Sequence, residues 1–168
     1  MLPRDLLADA FGRVQEEVRA AVEGLTEEQL ARRLDADANS IAWLVWHLLR
    51  VQDDHVAEVA GREQVWTADG WAARFALPFE DSATGYGHSP EQVGQVGATA
   101  ELLTGYCAAV TAQTQDYLAT LEADELDRVV DERWDPPVTL AVRLVSVISD
   151  DLQHAGQAAF VRGVIERG

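Results

Sequence analysis

A carboxylate and an imidazole stand one helical turn apart near the end of the chain, at Asp150 and His154. Residues four apart share one face of a helix, and ionisable groups on an apolar helix are costly unless they are paired or bind a metal. His47 lies in a second apolar segment. Two packed helices would bring these three side chains to one divalent metal. The neighbours of the pair are apolar on both sides: Leu144, Val145, Val147, Ile148, Ala158, Ala159, Phe160 and Val161.

Other ionisable residues compete for the same role. Asp151 precedes His154 by three residues and is an alternative carboxylate ligand. The sequence favours Asp150 over Asp151 only modestly. Asp54 and His55, two turns after His47, favour a polar rim or hydrogen bonds to the ligands rather than ligation. Gln157 either hydrogen-bonds a ligand or packs. A lone histidine in an apolar helix is more often an ordinary core residue. The metal-site hypothesis therefore depends on the combination of His47, Asp150 and His154.

Few other residues of the chain are candidates for a catalytic or ligand-binding role. The chain has no lysine, which excludes a lysine Schiff base, and it has no Ser-His-Asp order, phosphate-binding glycine loop or paired-cysteine motif. Cys107 lies beside the apolar stripe of a helix, which favours a buried and unreactive thiol. His88 is expected in a loop. A metal is therefore the best candidate for generating a nucleophile or an electrophile.

The periodicity of apolar residues predicts an all-α fold, a four-helix bundle forming a single domain over residues 1–168. The first long helix spans about residues 3–23, and Thr26 with Gln29 forms a capping box for a short helix. The second runs over about 40–60, from Ser40 to Gly61. The third begins at Ser89 and Pro90 and ends near Leu121. The fourth runs from about Thr139 to the C-terminus, and no strand is expected.

A long connection joins the second and third long helices. Residues 61–88 carry the aromatics Trp66, Trp71, Phe75, Phe79 and Tyr86 among turn residues. Connections of this length in a compact domain are usually functional or contain short helices of their own. We expect a small-molecule substrate to bind beneath this segment, with Trp66 and Trp71 as the wall that excludes water.

The charge of the chain limits its partners. A net charge of −16 argues against nucleic acid and against anionic membrane surfaces, and no apolar run reaches the length of a membrane span. The N-terminus does not resemble a signal peptide, and a single cysteine suits a reducing interior, so a cytoplasmic protein is expected. Apolar residues on more than one face of the second helix, including Trp43 and Trp46, predict a homodimer.

Two motifs resemble the DinB-like family of metal-binding four-helix bundles, which includes the N-terminal domain of mycothiol-dependent maleylpyruvate isomerase. They are Asn39 to Leu48, read as NSIAWLVWHL, and His154 to Gln157, read as HAGQ. The resemblance implies three ligands, of which His47 matches the first and His154 the third. Asp150 stands where the middle histidine of the family usually stands, and thiol-dependent relatives place a carboxylate there. The resemblance also implies a low-molecular-weight thiol as cofactor.

These observations favour a small metalloenzyme, a transferase or hydrolase. Two imidazoles and one carboxylate leave positions open on a divalent ion, where a thiol or water is activated by a lowered pKa. Zinc suits this donor set, and nickel or another first-row ion is the alternative. The alternative is a non-catalytic metal-binding or stress-related protein, which four protein ligands would favour.

Overall fold

Four long helices form the protein, as the computed structural model of residues 1–168 shows. The first long helix packs against the third and fourth long helices, and the second long helix packs against the same two. The order around the bundle is therefore first, third, second, fourth. The predicted all-α four-helix bundle is confirmed. The long helices are α1 (Pro3–Val22), α3 (Ile41–Ala60), α7 (Ala100–Thr120) and α8 (Leu140–Arg167).

The starts of the helices follow their sequence signals. The hydroxyl of Ser40 accepts a hydrogen bond from the Trp43 N–H, which satisfies a free donor of the first turn of α3. Thr26 and Gln29 form the expected capping box before α2 (Glu27–Ala31). Gly61 adopts a left-handed conformation with φ of 63° and ends α3. These predictions are confirmed.

The predicted start of the third long helix is wrong. The capping box at Ser89 and the proline at position 90 begin only the short helix α6 (Pro90–Val93). The chain leaves the helical path after Gly94, and α7 begins at Ala100 with Thr99 as its cap. The physical reason is the low helix propensity of the glycines at 94 and 97, which interrupts a continuous helix.

The expectation of no strand is also wrong, although the sheet is small. The strands β1 (Val129–Asp131) and β2 (Val138–Thr139) pair antiparallel on either side of the Asp135-Pro136-Pro137 segment. The sequence pattern is weak because the strands have only three and two residues. The hairpin packs against α8.

The helix α3 is the most buried element of the bundle. Fifteen of its 20 residues are buried, including Trp43 and Trp46. The other helices and the segment after α3 cover its apolar faces within one chain. The homodimer was predicted from an exposed apolar patch on this helix. That patch is absent, and the homodimer itself stays a prediction. No helix combines the length and apolar character that crossing a membrane requires.

Candidate metal centre

The side chains of His47, Asp150 and His154 lie together between α3 and α8. One potential ligand atom from each lies within 4.8 Å of the others. The two imidazole rings meet edge to face, with centroids 4.8 Å apart. The packing of α3 on α8 produces this group from residues about a hundred positions apart in the chain.

Backbone carbonyls orient both imidazoles. Nδ1 of His47 lies 2.5 Å from the carbonyl oxygen of Thr84, and Nδ1 of His154 lies 2.8 Å from that of Asp150. A carbonyl oxygen only accepts, so each Nδ1 carries the proton and each Nε2 keeps a free lone pair. Burial lowers the pKa of His47, against the opposing effect of the Thr84 carbonyl, and this favours the neutral ring that binds metals.

Asp150, not Asp151, supplies the carboxylate of this group. Its Oδ2 is buried without a hydrogen-bond partner, and lies 3.5 Å from Nδ1 of His154. Asp151 points into the bundle core with no exposed surface, and neither of its carboxylate oxygens has a partner. Burial, and then the charge of Asp150, raises the pKa of Asp151 well above its ordinary value. The uncharged acid is therefore the form that the core favours for Asp151.

The donor set fits a divalent ion. Two imidazoles and an unpartnered carboxylate oxygen are nitrogen and oxygen ligands of the kind that zinc and nickel accept. An unpaired buried carboxylate oxygen is otherwise costly. The group comprises three side chains, whereas closed structural zinc sites use four protein ligands.

Aromatic rings form one wall of the centre. Trp43 stacks on His47 with centroids 4.6 Å apart and an interplanar angle of 15°. The indole Nε1–H of Trp43 donates to Nδ1 of His88 at 3.2 Å, and His88 stacks on Trp46. His88 lies in a loop, as expected, but it holds a ring of this wall in place. No local sequence pattern indicates that contact.

The connecting segment reaches the centre through Thr84 and Gly85. Gly85 has a φ of +94°, and a Cβ there would lie 2.8 Å from Nδ1 of His47. Only glycine combines this left-handed backbone with such a close approach. The expectation that Trp66 and Trp71 wall the site is wrong: both pack on Tyr106 in the bundle core.

A buried arginine fixes the position of this segment. Arg50, one turn after His47, has no exposed surface and donates to the carbonyl oxygens of Ala83 at 3.1 Å and Asp81 at 3.2 Å. Ala83 immediately precedes Thr84, and Asp81 lies three residues before it. Arg50 thereby positions the group that holds His47. An arginine inside an apolar helix was the available signal, because a buried cation needs partners.

Asp53 balances Arg50 and anchors the start of α4 (Val65–Ala68). Its carboxylate accepts from the N–H groups of Val65 and Trp66 and from the Tyr106 hydroxyl at 2.8 Å, and lies 3.7 Å from Arg50. Burial raises the pKa of Asp53, while these donors lower it. Since every partner is a donor, the contacts favour the carboxylate.

The remaining candidates lie outside the group of three. His55 contacts Arg143 through Nδ1 at 3.3 Å, and Asp54 accepts from Gln64. Gln157 is exposed. Cys107 is buried, as expected, and burial raises the pKa of its thiol to about 12, so the thiolate is scarce at neutral pH.

Two comparisons agree with this architecture. A family model described as mycothiol-S-transferase matches residues 6–167. The crystal structure of a conserved protein from Enterococcus faecalis is similar, with a TM-score of 0.93 and 31% sequence identity. The similarity covers 100% of this chain and 99% of that chain. A search of curated proteins finds no significant match.

Proposed function

The chain belongs to the mycothiol-S-transferase family, and from this premise we propose that it transfers a low-molecular-weight thiol to a small electrophilic substrate. The observation that carries the proposal is that one potential ligand atom from each of His47, Asp150 and His154 lies within 4.8 Å of the others, while Oδ2 of Asp150 is buried without a hydrogen-bond partner. His47, Asp150 and His154 would hold a divalent ion, zinc or nickel, there. The ion would supply a Lewis acid that lowers the pKa of a thiol.

Different residues around the centre orient the imidazoles and bound the site. The Thr84 carbonyl orients the ring of His47 through Nδ1, and the Asp150 carbonyl orients that of His154 in the same way. Trp43 and His47 bury one side, while the side chains of His154 and Asp150 are 18% and 36% exposed. A substrate would approach from that open side. The 61–88 segment bounds the site through Thr84 and Gly85.

The proposed reaction is a substitution or addition by sulfur. The thiol loses its proton to water, and its sulfur forms a bond to the electrophilic carbon. In a substitution the leaving group departs with its bonding electron pair. If water takes the place of the thiol, the same centre catalyses hydrolysis, which is the second reaction to screen. The reducing interior in which thiols of this kind occur agrees with the single free cysteine and a cytoplasmic location.

A screen of metal-loaded protein tests the proposal. Zinc- and nickel-loaded samples are incubated with mycothiol or other small thiols and reactive electrophiles, and thioether formation is followed by mass spectrometry. We expect turnover that is lost in His47→Ala and after chelation. Thioether formation that survives both changes would contradict the mechanism. Stoichiometric metal without turnover across the thiols would instead favour the non-catalytic metal-binding protein.

A further inference from the structure

A groove of about 460 Å³ lies between α8 and the start of α3. Its lining includes Asn39 just before α3, Leu44 on α3, and Gln153, Gln157 and Phe160 on α8. Small-molecule sites in proteins have volumes of roughly 300–1,000 Å³ and combine apolar walls with a few polar groups. The size and the lining of the groove are therefore those of a ligand site.

The groove lies next to the metal centre along both helices. Leu44 precedes His47 by three residues on α3, and Gln157 follows His154 by three residues on α8. Residues three apart are neighbours on the surface of a helix. Because an α-helix rises 1.5 Å per residue, Phe160 lies about 9 Å along the axis from His154. One small molecule can therefore place a reactive group at the metal ligands and the rest of its structure in the groove.

No charged side chain lines the groove, although charged residues make up 25% of the chain. A depression of about 470 Å³ between α1 and α7 is by contrast lined by Arg19, Glu23 and Glu101. A charged ligand group loses hydration in a site and needs a counter-ion there. The groove supplies no counter-ion of either sign, and the net charge of −16 repels anions in addition. The lining therefore favours an uncharged ligand.

Three carboxamides and one aromatic ring define what such a ligand can be. A carboxamide donates through its nitrogen and accepts through its oxygen, so it suits hydroxyl groups, which do both. The amide nitrogen of Gln153 donates to the Ser149 carbonyl at 3.1 Å, which leaves the side-chain oxygen of Gln153 to accept from a ligand. Phe160 is 65% exposed, and its negative ring face suits the CH groups of a sugar or polyol ring. An uncharged ring rich in hydroxyl groups matches both features.

We propose that this groove binds the uncharged, hydroxyl-rich part of the thiol whose sulfur reacts at the metal centre. The proposal rests on the thiol transfer proposed above and makes the groove the place where one thiol is distinguished from another. A thiol that carries carboxylates or phosphates, such as glutathione or coenzyme A, meets no cation in the groove.

A probe without sulfur tests the groove separately from the reaction. The probe is N-acetylglucosaminyl-inositol, the uncharged carbohydrate part of mycothiol, titrated into the zinc-loaded and the metal-free full-length protein. NMR follows the side-chain amide signals, and we expect those of Asn39, Gln153 and Gln157 to shift in both samples. S-methylglutathione, an anionic probe whose sulfur is blocked, should leave them unchanged. No shift with the carbohydrate, or equal shifts with S-methylglutathione at the same concentration, would overturn the proposal.

Two variants at exposed positions test the residues of the groove. Gln157→Leu removes a carboxamide at similar volume, and Phe160→Leu removes the ring face but keeps an apolar side chain. We expect each to weaken carbohydrate binding roughly fivefold or more, as the loss of one hydrogen bond or ring contact does. Gln15→Leu is the matched control, because Gln15 lines the charged depression between α1 and α7, and it should bind as the wild type does. Wild-type affinity in either groove variant would overturn the proposal.

The outcomes distinguish this proposal from the proposed function. Carbohydrate binding by a protein that transfers no thiol would support the groove and count against the transfer. Thiol transfer by a protein that does not bind the carbohydrate would support the transfer and overturn the groove.

Discussion

At the scale of single residues, two adjacent carboxylates have different environments. Asp150 offers an unpartnered oxygen to the two imidazoles, whereas Asp151 is enclosed in the core. We expect Asp150→Ala to weaken zinc binding by roughly 100-fold or more, because a direct ligand is lost. Asp151→Ala should change it only a few-fold. Titration calorimetry of both variants measures this, and equal losses would contradict the assignment.

Gly85 offers a second test of the centre. In Gly85→Ala the new Cβ would meet His47, and we expect metal affinity to fall by about tenfold or more as the ring is displaced. Gly87→Ala is the matched control, because Gly87 also has a positive φ, +75°, but a Cβ there meets nothing within 4 Å. Both variants are strained, so only the contact with His47 separates them. Equal metal affinities in the two variants would refute this role for Gly85.

At the scale of elements, Arg50 joins α3 to the segment that reaches the metal centre. Arg50→Met keeps an unbranched side chain that can remain buried but leaves Asp53 without its cation. We expect the free energy of unfolding to fall by about 3–5 kcal/mol, as when a buried pair loses one partner. Urea denaturation measures it. Arg13→Met, which removes an exposed pair with Asp9, should have little effect. A comparable effect of the two changes would argue against anchoring by Arg50.

The hairpin is attached to α8 by an acid-sensitive contact. Arg133, and more weakly Arg143, holds the pKa of Asp131 well below its usual range. A lowered folded-state pKa stabilises the protein above the unfolded pKa of about 4 and loses this contribution as the pH falls below it. We expect urea denaturation between pH 6 and pH 3 to show a smaller loss of stability in Asp131→Asn than in the wild type. Parallel losses would contradict the contact.

At the scale of the whole molecule, a metal at this centre would join α3 to α8 and stabilise the bundle. Saturation at a hundredfold excess over the dissociation constant adds about 2.7 kcal/mol to the free energy of unfolding. We expect zinc to raise the unfolding temperature of the wild type and a chelator to reverse the rise. The His154→Ala variant should show no rise. A wild-type unfolding temperature that is indifferent to zinc and nickel would contradict the metal centre.

Local patterns in the sequence predicted the long helices and most of their ends. Apolar residues at helical spacing predicted the long helices, and Thr26, Ser40 and Gly61 marked boundaries because capping is a local interaction. The same locality explains the error at residue 89. A capping box starts a helix but carries no information about its length, and the glycines that follow ended this one.

Which side chains meet depends on how the helices pack against one another. The sequence placed His47 on one helix and His154 on another, but the choice between Asp150 and Asp151 depends on how α8 is rotated about its axis. Packing fixes that rotation by burying Asp151. The contact of Gly85 with His47 and the tether from Arg50 join residues about thirty positions apart or more. Long-range packing creates such contacts, so no local pattern predicts them.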